Sequence, residues 1–81
     1  MEKRLAVISV IVERPAAVED VNRLFHEFAE HICGRMGLPC RERGVSVISV
    51  VLDAPADVIN RLTGRLGMVE GVSAKTLFAK V

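Results

Sequence analysis

The stretches Leu5-Ala-Val-Ile-Ser-Val-Ile-Val12 and Val45-Ser-Val-Ile-Ser-Val-Val-Leu52 are apolar at nearly every position. Both are rich in β-branched residues and contain neither Gly nor Pro, a composition that predicts two β-strands. Because side chains alternate across a strand, each stretch would present apolar groups to both faces of a sheet. Strands of this kind are stable only where both faces of the sheet are covered.

A chain of this length has few elements with which to cover both faces of a sheet. The sequence has 81 residues, which predicts one domain over residues 1–81. A domain of this size buries only about 60% of its surface when it folds alone. Apolar residues make up 51% of the chain and aromatic residues only 4%, so an aliphatic core is expected. We expect copies of the chain to hide the excess apolar surface in a homodimer or homotetramer.

The charge balance argues against two classes of partner. Eleven basic and ten acidic residues give a net charge of +1, which favours neither nucleic-acid nor membrane binding. Cys33 and Cys40 form no CxxC motif and no disulfide framework. The apolar run Leu5–Val12 ends at Glu13 and is too short for a membrane span or a secretion signal. We therefore expect a cytoplasmic protein.

The rest of the pattern predicts two helices and two further strands. Pro15 suits the first turn of a helix, and apolar residues recur after it at spacings of three and four until Gly34 and Gly37. Asp53 is a suitable N-cap for a second helix. The predicted elements are strand 1 (4–13), helix 1 (15–33), strand 2 (38–43), strand 3 (45–53), helix 2 (55–67) and strand 4 (72–81).

This order, βαββαβ, predicts an α+β fold. Right-handed crossovers would make it a ferredoxin-like sandwich, with a four-stranded antiparallel sheet in the order 4-1-3-2 and two helices on one face. Strands 1 and 3 would be central, while Pro39, Lys75 and Lys80 would lie on edge strands. The second face of the sheet would need a partner.

Potential metal ligands concentrate in and after helix 1. On a continuous helix, His31 and Cys33 would point about 160° apart and could not chelate together. His26 and Cys33 would share a flank with Glu30, which predicts a candidate metal site of these three residues, with Cys40 approaching from the following loop. The alternative is that His26 borders the core and the cysteines act as small hydrophobic residues.

A second candidate site lies in the loop after strand 1. Glu13 and Arg14 would stand at the rim where sandwiches of this type hold ligands, so they are candidate ligand contacts. No set of residues typical of catalysis and no phosphate-binding loop is visible. The serines Ser9, Ser46 and Ser49 interrupt strands 1 and 3 but form a poor catalytic set.

Three segments resemble a known family. They are Leu62-Thr-Gly-Arg-Leu-Gly-Met-Val-Glu-Gly-Val-Ser-Ala-Lys-Thr76, Arg23-Leu-Phe-His-Glu-Phe28 and Gly37-Leu-Pro-Cys-Arg-Glu42. The family consists of small proteins to which regulation of the iron-only hydrogenase system is ascribed. The resemblance implies an ACT-like, ferredoxin-type fold similar to the C-terminal sensing domain of the nickel-responsive repressor, which forms a tetramer and binds metal between subunits.

The chain departs from these relatives at two places. The repressor's metal site uses several histidines of its sheet region, whereas this chain has no histidine after His31, so that site does not carry over. ACT domains often place a glycine in the loop after strand 1, where this chain has Glu13-Arg14-Pro15, which argues against amino-acid binding. A DNA-binding arm is also absent from the sequence given.

These observations favour a non-enzymatic regulatory or sensing module that assembles through its sheet. It would bind a small ligand or a metal at a subunit interface, and the cofactor is not identified by the sequence. The alternatives are a metal carrier or sensor using His26, Glu30 and Cys33, and a small dimeric enzyme of the ferredoxin-like type.

Overall fold

The computed structural model describes residues 2–80. Its strands pair only in antiparallel fashion, in the spatial order β2-β3-β1-β4, which is the predicted order 4-1-3-2 seen from the other edge. The ferredoxin-like βαββαβ fold is therefore confirmed. The elements are β1 (Lys3–Val12), α1 (Val18–Glu27), β2 (Ile32–Cys40), β3 (Val45–Pro55), α2 (Ala56–Gly67) and β4 (Val72–Phe78).

The core lies between the helices and one face of the sheet. Alternate residues of the central strands point to this face and are almost completely buried, while each helix contributes an apolar stripe. Its most deeply buried large side chains are Ile8, Val10, Val12, Val21, Val50, Leu52, Ile59, Leu62 and Leu66. The helices cover this face alone.

The predicted extent of helix 1, residues 15–33, is wrong at both ends. Pro15–Ala17 form a 3₁₀ turn, and the α-helix ends at Glu27. Phe28 leaves the helical conformation with φ −102° and ψ 14°, and a second 3₁₀ turn follows. Ile32 then pairs with Leu52 of β3 and packs against the core as a strand residue. A regular apolar spacing continued into this segment, but pairing with a distant strand decided its conformation.

The early end of α1 also corrects strand 2, which was predicted over residues 38–43. Gly34 and Gly37 lie within β2 and do not terminate a helix. Residues 41–44 instead form the turn of the β2–β3 hairpin, in which Gly44 adopts φ +67°. This conformation suits glycine because it has no Cβ, so the predicted turn at Gly44 is confirmed.

The remaining boundaries differ by a few residues from the predictions. Strand β3 extends to Pro55, so Asp53 pairs with Leu5 inside the sheet and does not cap α2. Helix α2 ends at Gly67 as predicted. Strand β4 ends at Phe78, short of the predicted residue 81, which lies outside the described residues.

Candidate functional site

Within residues 2–80 no element covers the face of the sheet opposite the helices, and we call this face the open face. Strand pairing arranges its side chains in three rows that run from β2 through β3 and β1 to β4. The rows are Gly34–Val51–Val7–Leu77, Met36–Ser49–Ser9–Lys75 and Leu38–Val47–Ile11–Ser73. Two mainly apolar rows therefore flank one row with a polar centre.

Large apolar side chains are exposed on the open face. Met36, Leu38 and Leu77 are 64%, 60% and 73% exposed, and Leu5, Ile11 and Val47 are also exposed. Among residues 2–80, Met68 is the only other large apolar residue that is exposed to this degree, and it follows α2 away from the sheet. Apart from Met68, these exposed apolar side chains therefore lie on one face of the sheet.

The predicted ligand contacts Glu13 and Arg14 lie in the loop between β1 and α1, which is held against the turn before β4. The backbone N–H of Glu13 donates to the carbonyl oxygen of Gly71 at 2.7 Å. The Arg14 guanidinium lies 3.1 Å from the Glu70 carboxylate. A Cβ on Gly71 would lie only 2.7 Å from Cγ of Arg14. Gly71 also has φ +83°, a conformation that residues with a Cβ rarely adopt. The close contact and the backbone conformation therefore both favour glycine at this position. Arg14 thus has an intramolecular partner, and its contact with a ligand stays a prediction.

The predicted metal ligands His26, Glu30 and Cys33 do not share one helix. His26 is exposed on α1, Glu30 lies in the 3₁₀ turn, and Cys33 lies at an irregularity of β2 where the pairing register shifts. Glu30 is 3.8 Å from the imidazole of His31, its neighbour in sequence. Within residues 2–80 no three His, Cys, Asp or Glu side chains are grouped to hold a metal ion. The arrangement does not fit a metal of the kind that the repressor resemblance implies.

A crevice that sequence reasoning missed lies between α1 and the edge strand β2. It is lined by Asn22, Phe25, His26, Ala29, Ile32, Gly34 and Arg35. The Arg35 guanidinium carbon lies 5.0 Å from the centre of the Phe25 ring, and Nη1 donates to Oδ1 of Asn22 at 3.2 Å. The sequence pattern does not indicate this crevice, because Arg35 reaches α1 only when Ile32–Cys40 is a strand.

The outer surfaces of the helices are joined by an ion pair. Both terminal nitrogens of the Arg65 guanidinium donate to the Glu27 carboxylate, and the second of these hydrogen bonds measures 3.2 Å. The hydrogen bonds from Arg65 lower the pKa of Glu27, and the same contact raises the pKa of Arg65. Both side chains are about half exposed, so this pair fixes α1 beside α2 without forming a buried charged site.

A hydroxyl pair connects α2 to β4. Thr63 Oγ1 donates to the carbonyl oxygen of Ile59 at 2.8 Å and lies 2.5 Å from Thr76 Oγ1. Because the single Thr63 hydroxyl proton is used within the helix, Thr76 donates to Thr63.

Both helices, the only α-helices in residues 2–80, are too short and too polar to span a bilayer.

Comparison with known proteins gives a family match and a related structure of nearly equal length. The family model described as "TM1266-like: Iron-only hydrogenase system regulator, putative" matches residues 4–76. The structure of the uncharacterized protein TM1266 from Thermotoga maritima superposes with a TM-score of 0.93 at 40% identity. That match covers 98% of this chain and 100% of the other. A comparison with curated proteins finds no significant match.

Two more distant structures share the fold alone. The C-terminal domain of the MgtC protein from Mycobacterium tuberculosis superposes with a TM-score of 0.76 at 16% identity, over 96% of this chain and 89% of that one. A formyltetrahydrofolate deformylase from Pseudomonas putida KT2440 gives a TM-score of 0.65 at 16% identity, over 90% of this chain but only 28% of that one. The match over residues 4–76 and the 40% identity to TM1266 show that this chain belongs to the TM1266-like family.

Proposed function

We propose that this chain is a non-enzymatic regulatory module of an iron-only hydrogenase system and that it works as a homo-oligomer assembled through the open face. The family description supports the regulatory role. The single observation that supports the assembly is the set of large apolar side chains exposed on that face, of which Leu38 and Leu77 are more than half exposed.

The dimensions of the open face suit a second copy of the chain. The central strands β1 and β3 have 10 and 11 residues, so at about 3.3 Å per residue the open face is roughly 35 Å long, and four strands about 4.8 Å apart make it roughly 15 Å wide. The same face of a second copy matches these dimensions. Two sheets can pack face to face about 10 Å apart with their side chains interdigitated.

The polar centre of the open face favours a symmetric arrangement. Ser9 and Ser49 pair across the two central strands in the middle row, between the two apolar rows. Hydroxyl groups that become buried need hydrogen-bond partners, because an unsatisfied one costs about 1–3 kcal/mol. A two-fold axis near Ser9 and Ser49 would bring these hydroxyls of one copy to those of the other. It would also place apolar rows against apolar rows.

Charge-introducing variants test the assembly. We expect sedimentation equilibrium of the wild type at micromolar concentration to give at least twice the chain mass of 8.8 kDa. Ile11→Lys and Leu38→Lys would place a charge in the interface and give the monomer mass. Met68→Lys is the matched control, since Met68 is 86% exposed outside the open face, and it should assemble like the wild type. A monomeric wild type would refute the proposed assembly, as would equal dissociation of the control.

The regulatory role has a separate test. Hydrogenase activity is compared in the host strain, in a strain that lacks the gene, and in the deleted strain carrying the wild type, Ile11→Lys or Met68→Lys. We expect the deletion and Ile11→Lys to alter the activity, and the wild type and Met68→Lys to restore it. Unchanged activity in the deleted strain would contradict the regulatory role.

A native mass spectrum of the wild type would report any ligand or metal held at the interface. Glu13 and Arg14 are the proposed ligand contacts.

A further inference from the structure

We infer that the crevice between α1 and β2 binds a small organic carboxylate through Arg35. The crevice has a volume of about 260 Å³ and opens along the edge of the sheet. It lies on the side of β2 that faces the helices, because Arg35 pairs with Val50, a buried residue of the core. It is therefore on the opposite side of the sheet from the open face.

The crevice exists because α1 does not cover β2 closely. Ala29 and Gly34 line the crevice without a large side chain. Phe25 and Ile32 supply apolar walls. Beyond Arg35 the same groove continues past Gly37 and Ile48 as a second cavity of about 250 Å³. A glycine-containing edge strand thus leaves space next to an apolar wall.

Arg35 is held in position at this crevice. Its guanidinium stacks on the Phe25 ring at 5.0 Å, and Nη1 is directed by the amide oxygen of Asn22 at 3.2 Å. Stacking on a ring leaves the edge of a guanidinium free to donate, and its planar fork matches the two oxygens of a carboxylate. Because these contacts already restrict the side chain, binding costs less conformational entropy.

The charge of Arg35 is not matched by an acidic group of the chain. Arg14, Arg23 and Arg65 each contact a carboxylate, whereas within residues 2–80 Arg35 forms no salt bridge and contacts the amide of Asn22 and the ring of Phe25. The residues that line the crevice include no Asp or Glu. The imidazole of His26 also lines the crevice. An exposed cation with a stacking partner, a polar neighbour and an apolar wall is suited to an anion on a small apolar body.

The crevice beside Arg35 has a volume of about 260 Å³, below the roughly 300 Å³ at which cavities for drug-sized ligands begin, so a small molecule is enough to fill it. Benzoate is a suitable probe because it joins a planar carboxylate to an apolar ring. Benzamide has nearly the same shape without the charge. We expect benzoate to shift the backbone amide NMR signals of Asn22, His26 and Gly34 in a saturable manner, and benzamide to shift them far less.

Substitutions of Arg35 decide between specific binding and general attraction to a cation. Arg35→Gln should weaken benzoate binding by roughly tenfold or more, because charge-assisted hydrogen bonds are lost. Arg43→Gln, which removes the same charge at the hairpin turn, should leave it unchanged. Arg35→Lys keeps the charge without the fork and should fall between the wild type and Arg35→Gln. Its amide spectrum, together with that of Arg35→Gln, verifies that the fold is retained.

Three results would overturn the inference. They are shifts by benzamide as large as those by benzoate, benzoate affinity in Arg35→Gln equal to that of the wild type, and an equal loss of affinity in Arg43→Gln. Because the crevice and the open face lie on opposite sides of the sheet, the titration is repeated with Ile11→Lys. Benzoate should bind that variant as it binds the wild type, so a failure here is distinguishable from a failure of the proposed assembly.

Discussion

Ile8 and Ile11 lie three residues apart on β1 and have different surroundings. Ile8 faces the helices and is 0% exposed, whereas Ile11 is on the open face and is 42% exposed. The two sides of the strand are similarly apolar in sequence, as are the two sides of β3. The difference arises from cover alone, since both helices pack on one face. The structure therefore places the unused apolar surface on one defined side of the molecule.

The largest effect is expected from truncation on the covered face. Ile8→Ala removes a completely buried side chain and leaves a cavity, which should lower the free energy of unfolding by about 2–5 kcal/mol. Urea denaturation of a dilute sample measures the loss. A loss below about 1 kcal/mol would mean that the core can collapse around this position and that the covered face is less closely packed than the structure shows.

The same truncation on the open face should act mainly on assembly. In a dilute sample, Ile11→Ala should cost about 1 kcal/mol or less, because Ile11 is already partly exposed in the single chain. The dissociation constant of the oligomer should rise by roughly tenfold. The midpoint of thermal unfolding, measured at concentrations about a hundredfold apart, should depend on concentration less strongly than in the wild type. If Ile8→Ala and Ile11→Ala lowered the free energy of unfolding equally in dilute samples, the two faces of the sheet would not differ in packing as described.

The polar centre of the open face allows a finer test. Ser49→Val replaces one hydroxyl of the middle row by an apolar group and leaves both apolar rows intact. Loss of the Ser49 hydroxyl leaves its hydrogen-bond partner in the other copy unsatisfied, which costs about 1–3 kcal/mol, so the association constant should fall by roughly tenfold or more. Sedimentation equilibrium measures it, with Ser73→Val on the edge strand as the control. An unchanged association constant for Ser49→Val would show that the serines do not pair between the copies.

The smallest effect concerns the ion pair on the outside of the helices. The pKa of Glu27 is lowered by its hydrogen bonds with Arg65. Such a carboxylate stabilises the fold above its unfolded pKa, and this contribution is lost as the pH falls through its folded pKa. Glu27→Gln should therefore be slightly less stable than the wild type at about pH 7, and the difference should be smaller at about pH 3, below the unfolded pKa.

Urea midpoints at the two pH values measure the difference. Glu30→Gln is the matched control, because the Glu30 carboxylate is 82% exposed and lies 3.8 Å from the imidazole of His31, with no Arg or Lys in a salt bridge to it within residues 2–80. It should show little change with pH relative to the wild type. If the difference in urea midpoint between the wild type and Glu27→Gln stayed constant down to acidic pH, the ionised carboxylate would not be what stabilises α1 beside α2.

The predicted order of the strands followed from local features. Two-sided apolar runs marked the central strands, and Pro39 and Lys75 marked the edges. These features depend on each residue and its near neighbours, so the sequence displays them directly. The predicted end of helix 1 was wrong because Ile32 fits the apolar stripe of a helix as well as it fits a strand. Only its pairing with Leu52 makes it a strand residue.

The predicted metal site depended on the same boundary. His26, Glu30 and Cys33 form a patch only if one helix continues through all three, and the helix ends at Glu27. Once β2 begins at Ile32, Arg35 comes beside Asn22 and Phe25, a grouping that no sequence spacing indicates. A site built from two elements cannot be assigned before their relative placement is known.

Local patterns in the sequence specify the βαββαβ order, the two central strands and the excess of apolar surface, because alternation and turn chemistry are local properties. Packing in three dimensions sets which side of the sheet stays uncovered, that Gly71 accommodates Arg14, and that the Arg35 guanidinium lies over the Phe25 ring. These outcomes require contacts between residues far apart in the chain. Their free energy is gained only when the whole sheet has formed.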